Sequence, residues 1–295
     1  MQERRSFADY KADGHLWITL AQGLYYPDYL KDASKLYAPV LETFGRLVQS
    51  SESSERLFLQ IAAIPEQAMR VQLSRVFRKY VSPETPVEML KVKLRAADII
   101  ERFGARFRPI QEVQAAFFSR PIPDEALAAV LWEYKDRGQK GYTLTEGFFT
   151  FFRKQFPDLS IVGPERAGAD VPLGKVFSEY PNPKRPVDFV IYGNTILLTE
   201  EHVLAIGFAR YDSDRGGAQE DDRIGGYRDC ADEILNFAQT HHFKTKVIFL
   251  NDGPGLLLGT MWNDYARLEE RWPGKVMVLT FRMVPERLTR DWLVS

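Results

Sequence analysis

Residues 185–192 read Arg185-Pro186-Val187-Asp188-Phe189-Val190-Ile191-Tyr192. The apolar run is short, rich in β-branched and aromatic residues, and followed by Gly193-Asn194, a turn signal. That pattern predicts a strand inside a sheet. Asp188 stands at its start, directly after Pro186-Val187. A carboxylate beside such a run must be solvated, paired or bound to a cation, because an isolated buried charge is too costly to keep.

Downstream of this stretch, Thr195–Leu198 and Val203–Tyr211 read as further β-rich segments. A long helix is expected over Ala218–Thr240, an apolar strand over Lys246–Leu250, a helix over Met261–Arg271, a strand over Val276–Thr280 and a last helix over Pro285–Leu293. Upstream, Leu159-Ser160-Ile161-Val162 is a strand candidate. Before it, Thr143-Leu144-Thr145-Glu146 has the spacing of a capping box opening an aromatic-rich helix that runs to Phe156. The order is therefore α-β-β-β-α-β-α-β, a meander followed by parallel crossovers, which makes a mixed sheet flanked by helices.

The chain before residue 140 has no strand pattern. Helical spacing marks Tyr29–Gln49, Glu66–Tyr80 and Val87–Phe103, punctuated by Ser82-Pro83-Glu84-Thr85-Pro86. Pro123–Asp136 is another helix, with Gly138 beyond its end. The expected fold class is α/β of the α+β kind, with an all-helical region over 1–140 and an α/β core over 141–295.

With 295 residues the chain has room for two domains and a sizeable core. One cysteine, Cys230, excludes an internal disulfide and a thiolate zinc site. Together with a start lacking any apolar leader pattern, this points to a reducing cytoplasm. No apolar run approaches the ~18 residues that span a bilayer. The formal net charge of −1 does not advertise a nucleic-acid partner. Between residues 61 and 110, however, ten basic side chains face five acidic ones, a local excess of +5. Such a stripe tracks phosphates or forms a solvated helix face. The turn Asn251-Asp252-Gly253-Pro254-Gly255 lacks the lysine and glycine spacing of a phosphate loop, and His241-His242 has no third ligand at metal spacing.

The element order and the Pro186-Val187-Asp188 stretch match the first half of the PD-(D/E)xK nuclease signature. Residues 186–255 also resemble type II restriction endonucleases of the MboI kind, which cut at GATC. Those enzymes carry an Asp-Phe-Val-Ile strand, an Ile-Glu-x-Asn-Phe-Tyr strand, a Gly-Gly segment, a helix with Tyr, and an apolar strand ending in Thr-Asp-Gly. Here the counterparts are Asp188-Phe189-Val190-Ile191, Ile206-Gly207-Phe208-Ala209-Arg210-Tyr211, Gly216-Gly217, Tyr227, and Ile248-Phe249-Leu250-Asn251-Asp252-Gly253. The resemblance implies a restriction-endonuclease-like core that hydrolyses double-stranded DNA with Mg²⁺, acting as a homodimer on a palindromic site.

One departure shapes the site. Gly207 stands where the family has Glu, and Ala209 where many members have Lys. In one reading the acid has moved toward the next helix, into Asp212-Ser213-Asp214-Arg215-Gly216-Gly217-Ala218-Gln219-Glu220-Asp221-Asp222-Arg223, and the small residues at 207 and 209 leave room for it or for a metal. Glu220 is then the first choice and Asp212 the second, followed by Asp214, Asp221 and Asp222, with Asp188 as the fixed metal ligand. In another, the site is degenerate and the protein binds DNA without cutting it. In a third, the likeness is accidental and the acids cap the 218–240 helix. Glu146 is a further catalytic candidate or a capping residue. Arg210 or Gln219 stands in for the lysine. Glu165, Arg166, Lys175, Lys184, Arg185, Arg210, Arg215 and Arg223 are the candidates for contact with phosphates or for surface ion pairs.

Overall fold

The computed structural model describes residues 5–21, 23–85, 96–164, 170–213 and 218–295, with backbone alone over 134–140 and 218–223. The chain divides into two compact units, one of residues 23–135 and one of residues 1–22 together with 136–295.

The first unit is helical. It contains α2 (Leu30–Ser50), α3 (Ser54–Ala63), α4 (Gln67–Tyr80), α5 (Ala96–Phe103), α6 (Ile110–Phe118) and the start of α7 (Glu125–Gln155). Each presents an apolar stripe to a shared core in which Phe44 packs on Phe117 at 5.3 Å and Phe58 on Phe77 at 5.2 Å between ring centroids. Ser53 caps α3 by accepting from the Arg56 N–H. The part of the expected 87–103 helix before residue 96 lies outside the described residues.

Two expected boundaries are absent. The expected break at Gly138 and new start at Thr143 do not occur: α7 is one helix of 31 residues. Thr145 lies inside it, its hydroxyl donating back to the Gly141 carbonyl at 3.1 Å rather than capping a free end. Isolated glycines cost about 1 kcal/mol each in a helix, which the packed aromatic face at Phe148, Phe149 and Phe152 outweighs. Thr195–Leu198 forms no strand. The Asn194 side chain accepts from the Ile196 and Leu197 N–H groups, an Asx turn that leaves both side chains in solvent.

The second unit is mixed α/β. Its sheet has five strands in the order β1 (Ser160–Val162), β4 (Phe189–Tyr192), β5 (Val203–Tyr211), β6 (Lys246–Asp252) and β7 (Val276–Leu279). The β1–β4 and β4–β5 pairs are antiparallel, and β5–β6 and β6–β7 parallel. A separate short ladder joins β2 (Val171–Pro172) to β3 (Pro186–Val187). The parallel strands are joined by α8 (Ala218–Thr240) and α9 (Met261–Arg271). The expected single helix at the C-terminal end is two short ones, α10 (Val284–Arg287) and α11 (Arg290–Val294). Every residue of β6 is buried, as suits a strand covered on both faces.

Residues 5–21, which the sequence reading grouped with the helical region, belong to this unit and carry the short helix α1 (Gly14–Trp17). Phe7 is fully buried, stacks on Trp262 at 4.6 Å and receives that indole's N–H on its carbonyl at 3.1 Å. Asp252, buried at the end of β6, accepts N–H groups from Thr19 at 2.7 Å, Gly253 at 2.7 Å and Phe281 at 2.9 Å.

Candidate functional site

Alternation along the strands decides which side chains meet. Phe189 pairs with Gly207, and its ring fills the place a side chain at 207 would take: a Cβ built there falls 2.0 Å from the ring. Phe189 also packs on Phe148 of α7 at 5.1 Å, so this face of the sheet is an aromatic core. The room expected at Gly207 for a carboxylate or a metal is therefore occupied. On the opposite face Phe208 stacks on Phe249, and Tyr227 of α8 packs on both, at 5.8 and 4.9 Å. Arg210 follows Phe208 by two residues, so it shares that face.

Asp188 sits at the kink between β3 and β4. Its N–H donates to the Gly207 carbonyl at 3.0 Å, and its Oδ2 accepts from the Ala209 N–H at 2.8 Å. Burial pushes its carboxyl up to about 6. The hydrogen bond from Ala209 and the charge of Arg210 oppose that rise, while the charge of Asp170 adds to it. The β2–β3 register explains Asp170. Val171 pairs with Val187, so one step beyond the ladder Asp170 stands opposite Asp188. The mirrored tripeptides Asp170-Val171-Pro172 and Pro186-Val187-Asp188 are the signal in the sequence for this pairing, one the sequence reading missed.

Arg210 and Asp212 come from the end of β5. The Arg210 Nε donates to the Asp212 Oδ1 at 2.8 Å, and the Asp212 side chain is buried. The backbone of Asp212 is clamped by the following turn: its N–H donates to the Asp252 carbonyl at 2.7 Å and its carbonyl accepts from the Gly255 N–H at 2.9 Å. Gly253, at φ 109°, makes that approach possible, because a Cβ there would lie 2.4 Å from the Asp212 oxygen. The Tyr227 hydroxyl is held at about 12, chiefly by burial, and feels the charges of Arg210, Asp188 and Asp212 together. These four side chains share one electrostatic environment.

Asn251 completes the cluster. It is the register partner of Arg210 and is fully buried, yet neither its Oδ1 nor its Nδ2 has a hydrogen-bond partner. Two residues from Phe249, it shares the face of Arg210 and Tyr227. A buried amide left unpaired costs about 1–3 kcal/mol per group, so this position is energetically marked. Carboxylates with an orphaned amide oxygen are the donor chemistry of a hard divalent cation. Among the described residues no three acids, imidazoles or thiols stand close enough together to hold an ion. The oxygen donors of this region are Asp188, Asp212 and the Asn251 oxygen, with Arg210 on Asp212.

The remaining candidates are dispersed. Glu146 is exposed on α7, beside the Tyr142 hydroxyl, and lines a groove of about 670 Å³ with Thr150, Arg153 and Gly163. Gly163 approaches the Asp188 carbonyl, so the groove borders the acid's backbone. Arg185 is engaged by Glu233, through Nε at 3.3 Å and through Nη2, and by the Cys230 Sγ at 3.2 Å. It is therefore committed to α8 rather than presented to a phosphate. Lys175 and Lys184 are exposed. Glu165, Arg166, Asp214, Arg215, Gly216 and Gly217 lie outside the described residues, as do the side chains of Gln219, Glu220, Asp221, Asp222 and Arg223, whose backbone forms the first turns of α8.

The basic stripe of the helical unit is largely spent on local partners. Arg70 is buried and donates to the Ile64 and Pro65 carbonyls. Arg78 donates to Pro83, while Arg106 pairs with Glu84 and Arg108 with Glu112. Lys91, Lys93 and Arg95 lie outside the described residues. Comparison of the chain with protein-family models, with curated proteins and with solved structures finds no match.

Proposed function

We propose that this protein is a Mg²⁺-dependent endonuclease of the restriction-enzyme type, hydrolysing phosphodiester bonds of double-stranded DNA as a homodimer. One observation carries the reading: Asp188, at the kink that opens the second meander strand of an α-β-β-β-α-β core, feels the charge of Arg210, which pairs with Asp212 at the end of the third. Asp188 and Asp212, with the Asn251 oxygen, are the residues that would hold the metal, and Glu220 is the further acid from α8. A magnesium ion held there would supply positive charge to the scissile phosphate and would lower the pKa of an attacking water. Arg210 orients a phosphate by its planar fork of donors. Tyr227, held protonated well above neutrality, donates a hydrogen bond without giving up its proton.

The test is plasmid cleavage with Mg²⁺ and with EDTA, for the wild type and Asp188→Ala. Cleavage that needs the metal and is lost in the variant supports the reading; full activity of Asp188→Ala removes this site from it. A second reading, a DNA-binding protein with a degenerate nuclease core, is favoured by the Arg210–Asp212 pair and by the ring filling the place at Gly207. That protein retards duplex DNA in a salt-dependent way and cuts in no metal.

A further inference from the structure

Tyr142, Glu146, Thr150 and Arg153 recur along α7 at the three- and four-residue spacing that puts side chains on one face of a helix. Together with Phe149 and Pro164 they line the groove of about 670 Å³, a size that suits a small-molecule ligand. Its two ends differ in charge. At one, the exposed Glu146 carboxylate takes a hydrogen bond from the Tyr142 hydroxyl, which fixes its direction. At the other, about 10 Å further along the helix axis, stands Arg153. Its guanidinium lies over the Phe149 ring, 5.5 Å from the centroid, and among the described residues no carboxylate pairs with it. Thr150 adds a hydroxyl one turn before it, and Phe149 and Pro164 make the lining between the ends apolar. Gly163 lets the loop close on the helix, since a Cβ there would fall 2.2 Å from the Phe149 ring.

An occupant complementary to this groove brings an anion to one end, N–H donors to the other and a flat body between. A nucleotide has that order of parts. An ionised carboxylate can only accept hydrogen bonds, through two oxygens side by side. Guanine is the base whose pairing edge carries two neighbouring N–H donors, on its ring N1 and its 2-amino group, so it meets both oxygens at once. Adenine, cytosine and thymine each offer one such donor, next to an acceptor that a carboxylate repels. We propose that this groove binds a guanine nucleotide, with the guanine edge on Glu146 and the phosphate on Arg153 and the Thr150 hydroxyl. Gly163 also approaches the Asp188 carbonyl, so the nucleotide lies beside the acid on which the nuclease reading turns. A free mononucleotide and an unpaired residue of a strand bring the same two groups.

The experiment is isothermal titration calorimetry on the full chain in EDTA, where no metal-dependent cleavage takes place, so failure here leaves the nuclease reading standing. Wild-type protein will bind dGMP roughly tenfold more tightly than dAMP, dTMP or deoxyguanosine. In Glu146→Gln the preference for guanine over adenine disappears, while dGMP still binds more tightly than deoxyguanosine. In Arg153→Met the reverse holds: dGMP binds no better than deoxyguanosine, and the base preference remains. Both side chains are exposed, and the wild-type series decides the matter by itself if either variant does not fold. The pentanucleotide d(TTGTT) identifies the source: binding at least as tight as that of dGMP assigns the groove to a strand, and weaker binding assigns it to the free nucleotide. No binding of dGMP, equal binding of the three nucleotides, or a Glu146→Gln protein that keeps the guanine preference overturns the proposal.

Discussion

Asp188 is held in a place that favours its neutral form, and this has a consequence for stability. Its carboxyl is raised from 3.8 to about 6 by burial. A group raised on folding contributes stability fully below its unfolded value and loses it as pH climbs through its folded value. At pH 8 the fold therefore carries the cost of an ionised, half-buried acid. Asp188→Asn keeps an acceptor for the Ala209 N–H and removes that cost. Urea unfolding at pH 8 will show the variant more stable by up to about 3 kcal/mol, with the difference gone below pH ~4. Of the site's residues, Asp188 is legible in the sequence, because an acid opening a buried strand has few roles open to it. Asp212 is legible only as one of five neighbouring acids; the sequence reading ranked it below Glu220. Asn251 reads as a turn residue, since nothing in a linear pattern says that its amide is left without a partner.

At the scale of elements, the β4–β5 register turns a one-residue difference into a change of face. The sequence reading placed the family's Glu and Lys at Gly207 and Ala209, yet Gly207 lies on the aromatic face, away from Asp188. Gly207→Glu will not bring a carboxylate to Asp188; it drives the new side chain into the Phe189 ring. Even Gly207→Ala will destabilise by roughly 1–3 kcal/mol in urea melts, and adding Phe189→Ala will cancel much of that increment, a coupling that measures their contact. Strands β5 and β6 are readable because their apolar runs are long and end at clear turns. The continuity of α7 is not, because two glycines and a capping-box spacing imitate an end that tertiary packing overrides. The pairing of β2 with β3 hides in two residues a side, visible only when Asp170 to Pro172 is read against Pro186 to Asp188.

For the whole molecule, the division into a helical and an α/β unit follows from periodicity, but the assignment of the first 22 residues does not. Phe7, Tyr10 and Ile18 are too sparse to declare a partner, and only the finished sheet supplies one. Phe7→Ala will remove the stacked ring over Trp262 and lower stability by about 3–5 kcal/mol, read as a shifted urea midpoint of the α/β unit. Asp252 gives this arrangement a direction in time. Its carboxylate gathers the N–H groups of Thr19 and Phe281, segments more than two hundred and sixty residues apart. During synthesis residues 5–21 thus leave the ribosome long before their docking place exists. Residues 23–135 have a core of their own and are complete first. Residues 5–21 wait, their aromatic side chains unclaimed, until the strand at Val276–Leu279 and the turn beyond it have been translated.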